Sequence, residues 1–177
     1  MIVIVAPNTR LRVQTKPIKK TTSALLNTLK EMIKLTQTFK DPEGVGLAST
    51  QIGLEESFFV AKMIDQDGKE EFKAFINPQI LSLGKRAKKY FEGCLSIPKY
   101  FGDVNRSLIA KVTYQDENGQ AHTKTIKGVN AWIFQHEMDH LNGVLFVDKV
   151  LQQHGKMYKF TGKDKAGTDI FEVEGSL

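Results

Sequence analysis

The chain of 177 residues has one cysteine, Cys94, so no intrachain disulfide can form. A lone thiol suits a reducing compartment and excludes the small disulfide-stapled folds of secreted proteins. No apolar run approaches the ~18 residues that a membrane-spanning helix needs. The opening stretch, residues 1–7, is too short for a secretory signal and lacks its basic flank. It is also not rich in Arg and Ser, as an organelle transit peptide would be. The expectation is a protein that stays where it is made, in a bacterial-type cytoplasm, with no membrane contact. Repeats, low-complexity segments and linker-like composition are absent too. One domain over residues 1–177 is therefore expected, with enough length to bury a core. Charge of one sign does not dominate: 25 basic residues face 20 acidic ones, for a net +5. The clusters Lys16, Lys19, Lys20 and Lys85, Arg86, Lys88, Lys89 carry no interleaved aromatics. They read as solvated surface, and no specific nucleic-acid site is expected.

What is present is an ordinary globular composition, 41% hydrophobic and 25% charged. Leu25, Leu26, Leu29, Met32, Ile33 and Phe39 recur at helical spacing, which predicts a helix over residues 21–39, capped by Thr21, Thr22 or Ser23. Residues 57–64 and 71–76 read as a hairpin around Asp67-Gly68, with a second turn at Asn77-Pro78 before residues 79–83. A short strand is expected over residues 88–91, and a loop through Pro98 and Gly102. A second hairpin, 108–115 with 120–126, turns at Glu117-Asn118-Gly119. Gly128 opens a further helix and Gly143 closes it. Residues 144–147 look extended, and the Gly-broken tail after Leu151 predicts no long helix. The fold class expected is α+β, with mostly antiparallel sheets packed around a central helix.

That helix carries Gln135-His136-Glu137-Met138-Asp139-His140, an H-E-x-x-H pattern. Residues four apart share a helix face, so His136 and His140 can aim two imidazole nitrogens at one metal ion. Glu137 sits beside them as a general base that is not itself a ligand. The apolar flank Ala131-Trp132-Ile133-Phe134 argues for a core helix rather than a solvated one. A catalytic site of this kind needs a third protein ligand and an open position. A longer motif with His at position 146 fails, because Phe146 stands there. Glu172 and Glu174 lie in the polar tail, with no apolar helix to hold them. Cys94 is the better candidate, since thiolate is a strong ligand for Zn²⁺ and Fe²⁺. A peptidase with another third ligand and a purely structural metal site stay open at this point.

Three ordered motifs carry a family resemblance: Gly44-Val45-Gly46-Leu47-Ala48-Ser49-Thr50-Gln51, Glu92-Gly93-Cys94-Leu95-Ser96, and Gln135-His136-Glu137-Met138-Asp139-His140-Leu141-Asn142-Gly143. From about Ile4 to Val150 the chain resembles the peptide deformylases. The resemblance implies hydrolytic removal of the N-formyl group from the formyl-methionine of nascent polypeptides. It implies Cys94, His136 and His140 as metal ligands, and Glu137, Gln51 and the backbone N–H of Leu95 as the catalytic groups. The metal implied is one divalent ion, natively Fe²⁺, with Zn²⁺, Ni²⁺ or Co²⁺ able to replace it.

Around these, Val45, Gly46, Trp132 and Ile133 are expected to receive the substrate. Asp139 is expected to pair with Arg106, and Glu92 to orient Gln51 or a neighbouring backbone group. The partners implied are the formylated nascent chain and, transiently, the ribosome, with the enzyme a monomer. Ser49 and Trp132 depart from the family pattern, Trp132 being bulkier than the usual aliphatic residue. The tail after Val150 lacks the signal of a long terminal helix, so docking through such a helix is not carried over.

Overall fold

A computed structural model describes residues 1–40 and 42–174. Helix α1, Ser23–Thr38, starts at Thr22, whose hydroxyl accepts the Leu25 N–H. Its Leu29, Met32 and Thr36 turn inward, matching the helical period of the sequence. Strands β1 (Gly46–Ala48), β2 (Phe58–Ile64), β3 (Glu70–Leu83), β6 (Ile109–Gln115) and β7 (Ala121–Lys127) form one antiparallel sheet in the order β1-β2-β3-β6-β7. Strands β4 (Ala87–Cys94), β5 (Ile97–Ser107), β8 (Met157–Lys163) and β9 (Asp169–Glu174) form a second antiparallel sheet in the order β4-β5-β8-β9. Helix α2, Gly128–Leu141, packs against β1, β2, β6 and β7 of the first sheet and β5 of the second. The core at its inner face is aromatic: Phe134 meets Phe59 and Phe75 edge to face, with centroids 5.1 and 5.3 Å apart.

Three local expectations fail for identifiable reasons. Asn77-Pro78 does not end a strand. Asn77 takes φ +49° at a register slip between Ile76 and Gln79, and β3 continues through it. The Asn77 side chain holds this bulge by accepting the Ile18 N–H and donating to the Ile18 carbonyl. The stretch through Pro98 and Gly102 is not a loop but β5; Pro98 lies near the strand's start, and a Cβ at Gly102 would meet Val150 Cγ2 at 2.5 Å. The glycine is there for close packing. Residues 144–147 are not extended either: α3, Phe146–Gln152, begins inside them. Asp148 accepts the Leu145 N–H at its start, and Phe146 and Val150, one turn apart, are both buried. Among the described residues the tail forms the β8–β9 hairpin and contains no long helix.

Two backbone ties fix the N-terminal segment on the site. Ile4 N–H donates to the Gln51 carbonyl at 2.7 Å, and Ala6 N–H to the Ser96 carbonyl at 2.8 Å. Residues 4–6 thus bridge the short helix that carries Gln51 and the turn that follows Cys94, although residues 2–5 form no strand.

Candidate metal centre and active site

His136 and His140 stand one turn apart on α2, with ring centroids 5.1 Å apart. Cys94 closes β4, where the chain turns back at once so that Cys94 pairs with Ile97. This brings the Cys94 sulfur to 3.2 Å from His140 Nε2. One donor atom from each of Cys94, His136 and His140 lies within 4.8 Å of the others. A sulfur and two imidazole nitrogens at such spacing suit a zinc or ferrous ion, with bonds of about 2.3 Å to sulfur and about 2.0–2.1 Å to nitrogen. Glu172 and Glu174, the other carboxylates considered, are exposed on β9.

The local electrostatics fit the same ion. His140 is pushed well below its ordinary pKa, first by burial and then by the charge on His136. The neutral imidazole that results is the form that binds metal. At His136 burial acts downward, but the Cys94 and Glu92 side chains outweigh it and raise the pKa. Glu137 Oε2 and His140 Nδ1 are buried without a hydrogen-bond partner among the described residues. Burial lifts the Glu137 carboxyl to about 7.

Glu92 is the hub behind the ligands. It is fully buried. Arg106 donates Nε to its Oε1 at 2.7 Å and Nη2 to its Oε2 at 2.9 Å. Trp132 Nε1 donates to Oε1 at 2.8 Å, and His136 Nδ1 to Oε2 at 2.9 Å. Burial alone would raise this carboxyl, but the Arg106 and His136 donors hold it down at about 2. With Nδ1 so engaged, the other nitrogen of His136 is left to face the cluster. Arg106 also reaches Asp139 Oδ2 at 2.5 Å, so the expected Arg106–Asp139 pair is one arm of a larger network.

Glu92 makes no hydrogen bond to Gln51, one of the two partners expected for it; its side chain meets Arg106, Trp132 and His136 instead. Gln51 is set by other groups: its Oε1 accepts the Ala48 N–H at 2.8 Å, and its Nε2 donates to Ser96 Oγ at 3.0 Å, beside the Cys94 sulfur at 3.5 Å. Gly46 has a tight steric reason to be glycine, since a Cβ there would lie 2.2 Å from Glu137 Oε1.

A cavity of about 330 Å³ opens on these groups. Val45, Gly46, Gln51, Cys94, Leu95, Trp132, Ile133, His136 and Glu137 line it, as do Phe91 and Phe101. His140 lies behind the lining. Trp132 does not close the cavity: its indole stacks on Tyr90, with centroids 4.6 Å apart and planes at 11°, while its N–H is tied to Glu92. Sequence reasoning missed Phe91, Phe101 and Ser96. Phe91 ends the strand expected over residues 88–91, and alternation along β5 marks Phe101 once that strand is recognised.

Residues 1–156 match the family model of polypeptide deformylase. A peptide deformylase from Afipia carboxidovorans is 37% identical over 161 residues, covering 90% of this chain and 92% of that one. The crystal structure of the Thermotoga maritima peptide deformylase superposes with TM-score 0.75 at 37% identity, covering 84% of this chain and 95% of that one. A probable peptide deformylase from Synechococcus phage S-SSM7 superposes with TM-score 0.76 at 27% identity, covering 84% and 99%. Sequence and fold agree over the stretch that builds the cavity, and the chain belongs to the peptide deformylase family, hydrolases that remove the N-formyl group from newly synthesised polypeptides.

Proposed function

We propose that Cys94, His136 and His140 hold one divalent metal ion and that Glu137, Gln51 and the Leu95 N–H carry out deformylation beside it. The carrying observation is the convergence of three donor atoms within 4.8 Å next to a buried carboxylate. When bound, such a metal supplies Lewis acidity and lowers the pKa of water toward about 7 in favourable sites.

The remaining work belongs to the chain. Glu137, with its carboxyl lifted to about 7, both accepts and returns a proton near neutral pH. It takes the proton of the attacking water and passes it to the amine nitrogen that leaves with methionine. Gln51 Nε2 and the Leu95 N–H donate to the formyl oxygen as it gains charge; the Ala48 N–H holds the Gln51 amide in place for this. Val45, Trp132 and Ile133 take the methionine side chain, and Gly46 lets the substrate backbone come close. Glu92, Arg106 and Asp139 keep His136 oriented and the helix braced.

The natural ion we assign is Fe²⁺, with Zn²⁺, Ni²⁺ and Co²⁺ able to occupy the same donors. Residues 1–177 act as a single catalytic domain, a monomer in the cytoplasm that meets the formylated nascent chain in transient contact with the ribosome. No helix among the described residues is long and apolar enough to cross a membrane, and nothing in this reading calls for one.

The test is formate release from formyl-Met-Ala by anaerobically purified protein. Cys94→Ala is expected to lose both metal and activity. Absence of release with metal bound, for each of the four ions in turn, overturns the assignment.

A further inference from the structure

A second cavity, of about 760 Å³, opens on the first sheet at the end of α2 opposite His136 and His140. It shares no lining residue with the cavity at Cys94. Its size falls in the range of about 300–1,000 Å³ that small-molecule sites occupy. Met63 and Phe75 give it an apolar floor, only 7% and 2% exposed, with Ile126 beside them. Four exposed lysines stand around it: Lys69 from the β2–β3 turn, Lys73 from β3, and Lys124 and Lys127 from β7. Two carboxylates share the wall, Asp65 and Glu71. Asp65 Oδ1 already accepts the Asp67 and Lys69 N–H groups, and Glu71 lies 3.6 Å from Lys73. Lys69, Lys124 and Lys127 have no ion pair among the described residues.

Two further features address an anion. Helix α2 begins here: Val129 and Asn130 line the cavity, and the cap residue Lys127 gives the first turn no side-chain hydrogen bond. The N–H groups of that turn have no acceptor within the helix and carry the positive end of its dipole. Tyr114 lines the same cavity at 8% exposure, its ring against Phe75 at 4.7 Å and His122 at 5.2 Å. Its hydroxyl makes no hydrogen bond among the described residues, although a buried phenol ordinarily finds a partner. Burial, helped by the charges of Asp116 and Glu117, raises its pKa, so the group stays a donor at neutral pH. Asp116 itself is taken up by His122 at 2.7 Å.

We infer that this cavity binds a small organic phosphate that carries an aromatic ring, the chemistry of a nucleoside monophosphate. The start of α2, the three unpaired lysines and the Tyr114 hydroxyl meet the phosphate, and Met63, Phe75 and Ile126 meet the ring. Inorganic phosphate would leave the apolar floor in water, and an uncharged nucleoside would leave the donors unused. The site does not depend on the deformylase reading, and its occupant leaves the cavity at Cys94 open.

The test is isothermal titration of the full metal-loaded chain with adenosine 5′-monophosphate, adenosine and inorganic phosphate. The monophosphate is expected to bind at least about tenfold more tightly than either part. Tyr114→Phe, which removes only the hydroxyl, is expected to weaken it about tenfold, and Lys124→Gln combined with Lys127→Gln by a similar factor. Formate release from formyl-Met-Ala is expected to stay the same in these variants and in the presence of the monophosphate.

No binding of the monophosphate up to about 10 mM overturns the site, as does equal affinity for inorganic phosphate. An affinity unchanged in either variant, each shown to be folded by circular dichroism, overturns it too. Competition between the monophosphate and formyl-Met-Ala would put the phosphate on the active-site metal instead and refute the second cavity. Binding of single-stranded RNA without binding of the monophosphate refutes it in favour of an open polyanion surface. Loss of formate release with monophosphate binding intact counts against the deformylase reading alone.

Discussion

Replacing Glu92 by Gln keeps the shape of the hub and removes its charge. In the native fold this carboxylate is fully buried and accepts four hydrogen bonds, two from Arg106 and one each from His136 and Trp132. Removing one partner of a buried ion pair costs about 3–5 kcal/mol, because the other charge is left stranded. Arg106 keeps Asp139 at 2.5 Å, which places the cost at the lower end. The proton linkage gives a similar figure. A carboxyl held at about 2 instead of its ordinary 4.5 carries about 3 kcal/mol of folding stability.

The sign follows from the depressed value. This stabilisation is fully present above pH 4.5 and fades as pH falls toward 2. For a chain of 177 residues, a loss of 3 kcal/mol lowers Tm by about 6–12 °C. Thermal unfolding of chelator-treated Glu92→Gln protein at pH 7, followed by circular dichroism, isolates the ion-pair contribution. Metal retention after dialysis reads the second effect, since His136 loses its orienting acceptor and affinity falls about 10- to 100-fold. A Tm within about 2 °C of the parent with unchanged metal content refutes the hub.

Three further outcomes are expected. Gly46→Ala puts a methyl where Glu137 Oε1 now sits, 2.2 Å from the new carbon; steady-state assays should show kcat down by about 10²-fold, because the base is displaced, in a protein that still folds. Gln51→Ala removes a donor already aimed beside Cys94, so kcat should fall by about 10²- to 10³-fold with little change in KM. Arg12→Ala breaks a pair with Asp148 that is substantially exposed, at 46% and 35%, and should cost under about 1 kcal/mol in denaturant titrations. Burial raises the Asp148 carboxyl, but Arg12 and the Leu145 N–H outweigh it and hold the carboxyl below 3.8. The Arg12 effect is therefore expected above that pH and should disappear as pH falls well below it.

The parts of this site legible in the sequence are those set by short-range geometry. His136 and His140 are four apart on a helix whose apolar flank is continuous, so their shared face follows from helical pitch alone. Cys94 follows from the ligand strength of a thiolate, from the exclusion of Phe146 and the tail carboxylates and from the family resemblance; its spacing from the helix suits the site but does not by itself prove it. The partners of Glu92 are not legible locally, because its donors Arg106, Trp132 and His136 lie 14 to 44 positions away and meet it only after β4 packs on β5 and α2. Pro98 and Gly102 hid β5: both read as breakers, yet Gly102 marks close packing against Val150. Phe91, Phe101 and Phe171 come together through pairings across four strands, which no local window contains.

X-ray absorption at the metal edge of the Fe²⁺- or Zn²⁺-loaded chain bears most directly on the proposed centre. One sulfur at about 2.3 Å and two imidazole nitrogens at about 2.0–2.1 Å are expected, with the sulfur lost in Cys94→Ala. A shell of nitrogen and oxygen alone, the same in the parent and in Cys94→Ala, contradicts it.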